Sequence, residues 1–146
     1  MQVVFQTRFS FFGQSGWKSA HAGDPDLLFD PERLAARMRY FEGVTLESLA
    51  GQTDSRFTHM VLTSTLLPEP FRSRLRELCF DVLGEARCRI LYRPEGSAGQ
   101  ILRDTVQQLH ADDTVAQVVL DDDDAVAADF VAAVRFYGRV ALQGPM

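Results

Sequence analysis

The chain alternates between two periodicities. Short runs rich in β-branched and aromatic residues are followed by longer stretches in which apolar residues return every three or four positions. Residues 3–8 are the first short run: Val3, Val4, Phe5 and Thr7 favour an extended strand. Residues 9–30 show no period. They hold Gly13, Gly16, Gly23, Pro25 and the only tryptophan, Trp17, and read as a long loop. Asp30-Pro31-Glu32 is a helix start, with aspartate at the cap, proline at the first helical position and an acid in the first turn. Leu34, Met38, Phe41, Leu46 and Leu49 continue its apolar stripe, with a bend expected at Gly43-Val44. Arg33, Arg37 and Arg39 are assigned to its solvated face. Residues 57–63 read as a second strand. A helix follows from Pro68 or Glu69, with Phe71, Leu75, Leu78 and Val82 on one face. Residues 88–92 read as a third strand, and Ile101, Thr105 and Leu109 as the apolar face of a third helix that carries Arg103 on another side.

Asp112-Asp113 then turn the chain into a fourth strand over residues 115–120, apolar apart from Gln117, as in a central strand buried on both faces. It ends in Asp121-Asp122-Asp123-Asp124. Val126, Phe130, Val134 and Tyr137 follow about one turn apart and predict a helix over 127–137, with residues 139–142 as the start of a further strand. Strand and helix alternate four times. This predicts an α/β fold, a mainly parallel open sheet with helices on both faces. In such sheets ligands bind outside the carboxyl ends of the strands, which is where the four aspartates fall.

Composition narrows the classes. With 46% apolar and 24% charged residues over 146 positions, the chain suits one globular domain with a sizeable core. No apolar stretch reaches the ~20 residues of a membrane span, and no basic-then-apolar leader opens the chain, so a cytoplasmic location is expected. Cys79 and Cys88 lie among apolar residues and read as core thiols. The net charge is −5, and residues 112–129 hold seven aspartates with no basic residue. Lys18 is the only lysine among 15 basic residues, and no basic stripe is interleaved with aromatics, which argues against nucleic acid as a partner.

Four adjacent carboxylates repel one another unless water or a divalent cation offsets the charge. In an extended run Asp121 and Asp123 would point to one side, about 7 Å apart, too far to grip one ion without a turn. The alternative is a solvated acidic turn in which Asp124 caps the next helix. Several metal and catalytic patterns are absent. An EF-hand loop would need a glycine sixth and a glutamate twelfth, and neither stands there. A phosphoryl-accepting receiver would need a late lysine. His21, His59 and His110 are scattered and have no zinc spacing. There is no GxSxG elbow, and Gly13-Gln14-Ser15-Gly16 is neither a P-loop nor a GxGxxG.

The ordered motifs carry a resemblance. Ser48-Leu49-Ala50-Gly51-Gln52-Thr53 before the second strand, Leu102-Arg103-Asp104 in the third helix and Leu120-Asp121-Asp122-Asp123-Asp124 resemble the nucleotide-sugar-binding half of GT-A-fold glycosyltransferases of family 2, which is Rossmann-like. Thr7-Arg8-Phe9-Ser10, Gly16-Trp17 and Leu28-Phe29-Asp30-Pro31-Glu32-Arg33-Leu34 make the chain more closely similar to the bacterial family described as putative rhamnosyltransferases, over nearly its whole length. The resemblance implies a metal-dependent glycosyltransferase taking a UDP- or dTDP-sugar donor, an unknown acceptor, and Mn²⁺ or Mg²⁺ as cofactor. It implies Asp121 and Asp123 as metal ligands. It further implies Thr7, Arg8, Ser64, Arg103, Asp121 and Asp122 as nucleotide-sugar contacts. Two departures stand out. Thr63-Ser64 occupies the end of the second strand, where family 2 carries aspartates near the base. The acceptor half and catalytic base that normally follow the aspartate motif are not in residues 1–146, so the expectation is a single donor-binding domain, a GT-A fold without its acceptor half. An open sheet edge left this way predicts self-association. The alternative is a non-catalytic nucleotide- or divalent-ion-binding module acting through a partner.

Overall fold

The computed structural model describes residues 1–13 and 24–144. Gln14, Ser15, Gly16, Trp17, Lys18 and His21, part of the first loop read from the sequence, lie outside the described residues. Four strands form one parallel sheet: β1 (Gln2–Phe9), β2 (Thr58–Ser64), β3 (Cys88–Arg93) and β4 (Val115–Val119). Between and after them run α1 (Pro25–Leu28), α2 (Pro31–Tyr40), a π-helical turn (Phe41–Leu46), α3 (Glu47–Ala50), α4 (Phe71–Leu83), α5 (Ala98–Leu109) and α6 (Phe130–Gln143). The expected α/β architecture with an open parallel sheet and helices on both faces is therefore present.

The strand order is β3-β2-β1-β4. The chain builds outward from β1 to β3, then returns to the other side of β1. Side chains alternate along each strand, so each face has its own core. Val3, Phe5 and Phe9 of β1 and Val61 of β2 meet Leu34, Met38, Phe41, Leu46, Leu49, Leu75, Leu78 and Val131, which brings α2, the π turn, α3, α4 and α6 onto one face. Val4, Met60, Leu62 and Leu91 meet Ala98, Leu102 and Val106 of α5 on the other. Cys79 and Cys88 are buried and free, as expected for core thiols.

The structure corrects several sequence expectations. β4 is an edge strand among the described residues, not a central one, and Val119 is 70% exposed. The apolar run there is half core and half surface: Ala116 and Val118 pack on the core with the buried Leu120, while Gln117 and Val119 face outward. α5 seats Ala98, Leu102 and Val106 inward, and Leu109 is exposed, so its core stripe is offset by one position from the one expected. α6 begins at Phe130, Tyr137 on it is exposed, and residues 139–142 belong to it and not to a further strand. Asp124 caps no helix; the residue at that cap is Asp129. Part of the first loop forms the short helix α1, capped by Asp24. A side chain at Gly13 would force the backbone to shift. A Cβ there would lie 2.5 Å from the Gly96 carbonyl oxygen, so the loop after β1 passes directly over the loop before α5.

Candidate metal and nucleotide site

The reversal of strand order lies between β1 and β4, and the crevice outside their carboxyl ends is the expected ligand position in an open α/β sheet. β4 delivers the four aspartates there. Its ladder continues one residue past the strand, since the Leu120 amide donates to the Gln6 carbonyl at 2.9 Å. The chain then turns, with the Asp124 amide donating to the Asp121 carbonyl at 3.1 Å. This turn removes the geometric obstacle of an extended run. Carboxylate oxygens of Asp121, Asp123 and Asp124 lie within 4.8 Å of one another. Oxygens on opposite sides of a Mg²⁺ or Ca²⁺ ion stand about 4–5 Å apart, so the three fit one hard cation's ligand shell.

Asp122 points the other way. It is 7% exposed and receives both Nε (3.3 Å) and Nη2 of Arg37. Arg37 Nη2 also lies 3.3 Å from Asp123. Burial raises the Asp122 carboxyl above its ordinary value, and Arg37 opposes that. The same pair raises the Arg37 guanidinium. The two directions agree once burial is assigned to its bearer: the carboxylate is the more deeply buried partner and carries most of the desolvation cost. Arg37 is thus no solvated residue. Nor is Arg33, whose Nη1 donates to Ser10 Oγ and to the Leu28 carbonyl, both at 2.9 Å. Ser10 follows β1 with φ of 45°, a left-handed conformation uncommon outside glycine, and its side chain is buried.

The segment after α2 holds the aspartate turn from behind. Phe41 and Leu46 anchor the π turn in the core and leave Thr45 buried between them. Thr45 Oγ1 sits 2.8 Å from the Asp124 carbonyl and 3.2 Å from the Asp121 carbonyl. Ser48 Oγ accepts the Val126 amide at 3.2 Å. Gln52 donates to the Ala127 carbonyl at 2.7 Å and accepts the Val131 amide at 3.0 Å, and the Thr53 amide donates to the Ala128 carbonyl at 2.8 Å. The Ser48…Gln52-Thr53 motif noted in the sequence therefore grips the backbone that follows the aspartates. π turns are frequent at functional sites, and this one presents a hydroxyl to two carbonyls of the acidic turn.

The other sequence candidates scatter. Thr7 is fully buried and hydrogen-bonds His59 Nε2 at 2.8 Å, behind the crevice and not in it. Arg8 sits on the opposite sheet face and is partly buried. Ser64 is buried, and its hydroxyl accepts the Leu66 amide at 3.0 Å. Arg103 is on the exposed side of α5, where it donates to Gln100 at 3.1 Å. Arg33, Arg37, Thr45 and Ser10 were not identified from the sequence as site residues. The spacing of four puts Arg33 and Arg37 on one side of a helix but does not say what that side meets, and Thr45 and Ser10 carry no signal.

No curated protein and no solved structure matches the chain. One family matches, described as Putative rhamnosyl transferase, over residues 2–143. With that match spanning nearly all of its length, the chain belongs to the putative rhamnosyl transferase family.

Proposed function

We propose that this chain is the donor-binding portion of a metal-dependent glycosyltransferase, with the nucleotide-sugar diphosphate held at the carboxyl ends of β1 and β4. The observation that carries the reading is the convergence of Asp121, Asp123 and Asp124 at the switch point of the sheet, in a member of this family. An all-carboxylate donor set suits Mn²⁺ or Mg²⁺. When bound, such an ion supplies Lewis-acid stabilisation of a leaving nucleoside diphosphate and a template for its oxygens. Asp121, Asp123 and Asp124 would hold it. Asp122 does different work: its carboxylate is engaged by Arg37, and that pair fixes the side of the turn from which the other three project. Thr45 keeps the turn closed. Thr7 and Ser64, both buried and hydrogen-bonded within the protein, support the strands beneath the site.

Calorimetric titration of UDP and dTDP, with Mn²⁺ and with a chelator, tests the reading. Binding that requires the metal and disappears in Asp123→Ala is the expected result. Metal-independent binding, or binding unaffected by Asp123→Ala, would remove the acidic turn from the site. Binding with no sugar transfer to any acceptor would favour a nucleotide-binding module acting through a partner.

A further inference from the structure

Arg33 and Arg37 are one helical turn apart on the face of α2 that meets the crevice. They are held differently. Arg37 is neutralised by Asp122 and approached by Asp123. Arg33 pairs with no carboxylate among the described residues. Even the nearby Asp30 carboxylate is committed, since it accepts the Arg33 backbone amide at 3.1 Å as the helix cap. Both Arg33 side-chain bonds use one nitrogen: Nη1 donates to Ser10 Oγ and the Leu28 carbonyl. Nε and Nη2 have no acceptor among the described residues. The guanidinium is partly buried, so its charge loses hydration without a carboxylate in contact with it among the described residues. Burial, followed by the neighbouring Arg37 charge, lowers its pKa, and the Asp122 carboxylate, already held by Arg37, offsets only part of this. Two neutral oxygens fix its plane and leave an edge free, a preformed fork for an oxyanion.

We propose that Arg33 is a phosphate-binding residue that receives the diphosphate of the donor at the end of β1, an inference that rests on the nucleotide-sugar reading above. The acidic turn would hold the cation, and Arg33, one turn along α2 from the Arg37 that meets the acidic turn, the excess negative charge of the diphosphate.

The probe is inorganic pyrophosphate, titrated calorimetrically into the whole chain with Mn²⁺ and, in a second arm, with a chelator; UDP repeats the titration. Arg33→Gln is expected to weaken pyrophosphate and UDP binding about tenfold or more, the range of a lost charge-assisted hydrogen bond, while Mn²⁺ alone binds as in wild type. Unchanged pyrophosphate affinity in a folded Arg33→Gln protein would overturn the proposal, because a merely structural clamp on Ser10 and Leu28 predicts only a lower Tm. If that variant does not fold, Arg33→Lys decides: severalfold weaker binding is expected, since a single ammonium cannot hold both oxygens and reach the ligand, and undiminished binding overturns the proposal. Absence of pyrophosphate binding to wild type also overturns it. If Asp123→Ala leaves Mn²⁺ binding intact while Arg33→Gln still abolishes pyrophosphate binding, the Arg33 assignment stands and the metal reading falls. If Asp123→Ala loses Mn²⁺ and Arg33→Gln changes nothing, the reverse holds.

Discussion

Asp122 is the one aspartate of the four whose charge is taken inside, and Arg37 is what makes that tolerable. Truncating Arg37 leaves a buried carboxylate without its partner. Arg37→Ala should destabilise the fold by about 2 kcal/mol, less than for a fully buried pair because the guanidinium is partly exposed; urea unfolding measures it, and Arg37→Ala with Asp122→Asn together should cost less than the sum of the two. His59 gives a second residue-scale prediction. It is fully buried against Phe41 and Thr7, and burial pushes its pKa from 6.5 to about 3. Below 6.5 the unfolded chain takes up a proton that the folded chain refuses until about 3. Stability from this group is complete above 6.5 and is lost as pH falls toward 3. Between pH 7 and pH 5 the loss should be about 2 kcal/mol, and the unfolding free energy of His59→Gln should fall less over the same interval.

The elements that position the site are those that interrupt regular structure. The π turn presents Thr45, and its hydroxyl is the only side chain found bridging both ends of the acidic turn among the described residues. Thr45→Val keeps the shape and removes the donor, so it should lower stability by about 1–2 kcal/mol and weaken divalent-cation binding at the aspartates. A folded variant with wild-type cation affinity would show that the turn holds itself. Regular elements were legible in the sequence because burial imposes a period: Leu34, Met38, Phe41, Leu46 and Leu49 were all placed in the core and are all buried. α5 was legible as a helix, and Ile101 does pack against its core, but the centre of the stripe was not legible, because Leu109 is as apolar as the Leu102 and Val106 that pack inward. At residues 121–124 a turn was one of two alternatives in the sequence, and which way each carboxylate points was not legible, since four identical side chains offer no contrast from which to read direction. The inward role of Arg33 and Arg37 was hidden for a related reason: a charged residue on an amphipathic helix reads as solvated until its neighbour across the fold is known.

At the scale of the molecule, the alternation of strands and helices gave the fold class, but the order β3-β2-β1-β4 was beyond it, and the order is what places the aspartates at the edge of the sheet and beside the switch point. The open edge has a consequence of its own. Val119 is exposed on it, and Phe136, Tyr137 and Val140 are exposed on α6. Edge backbone without a partner strand among the described residues, together with exposed apolar side chains, favours pairing between chains. Light scattering of residues 1–146 should therefore show self-association at high concentration that Val119→Lys reduces; a monodisperse wild-type monomer would contradict this. The central claim, that the acidic turn is a divalent-cation site, is tested most directly by titrating the chain with Mn²⁺ and following the free ion by electron paramagnetic resonance. The account predicts one saturable site in wild type that is lost in Asp123→Ala and in Asp121→Ala. No saturable binding in wild type, or binding untouched by either substitution, would contradict it.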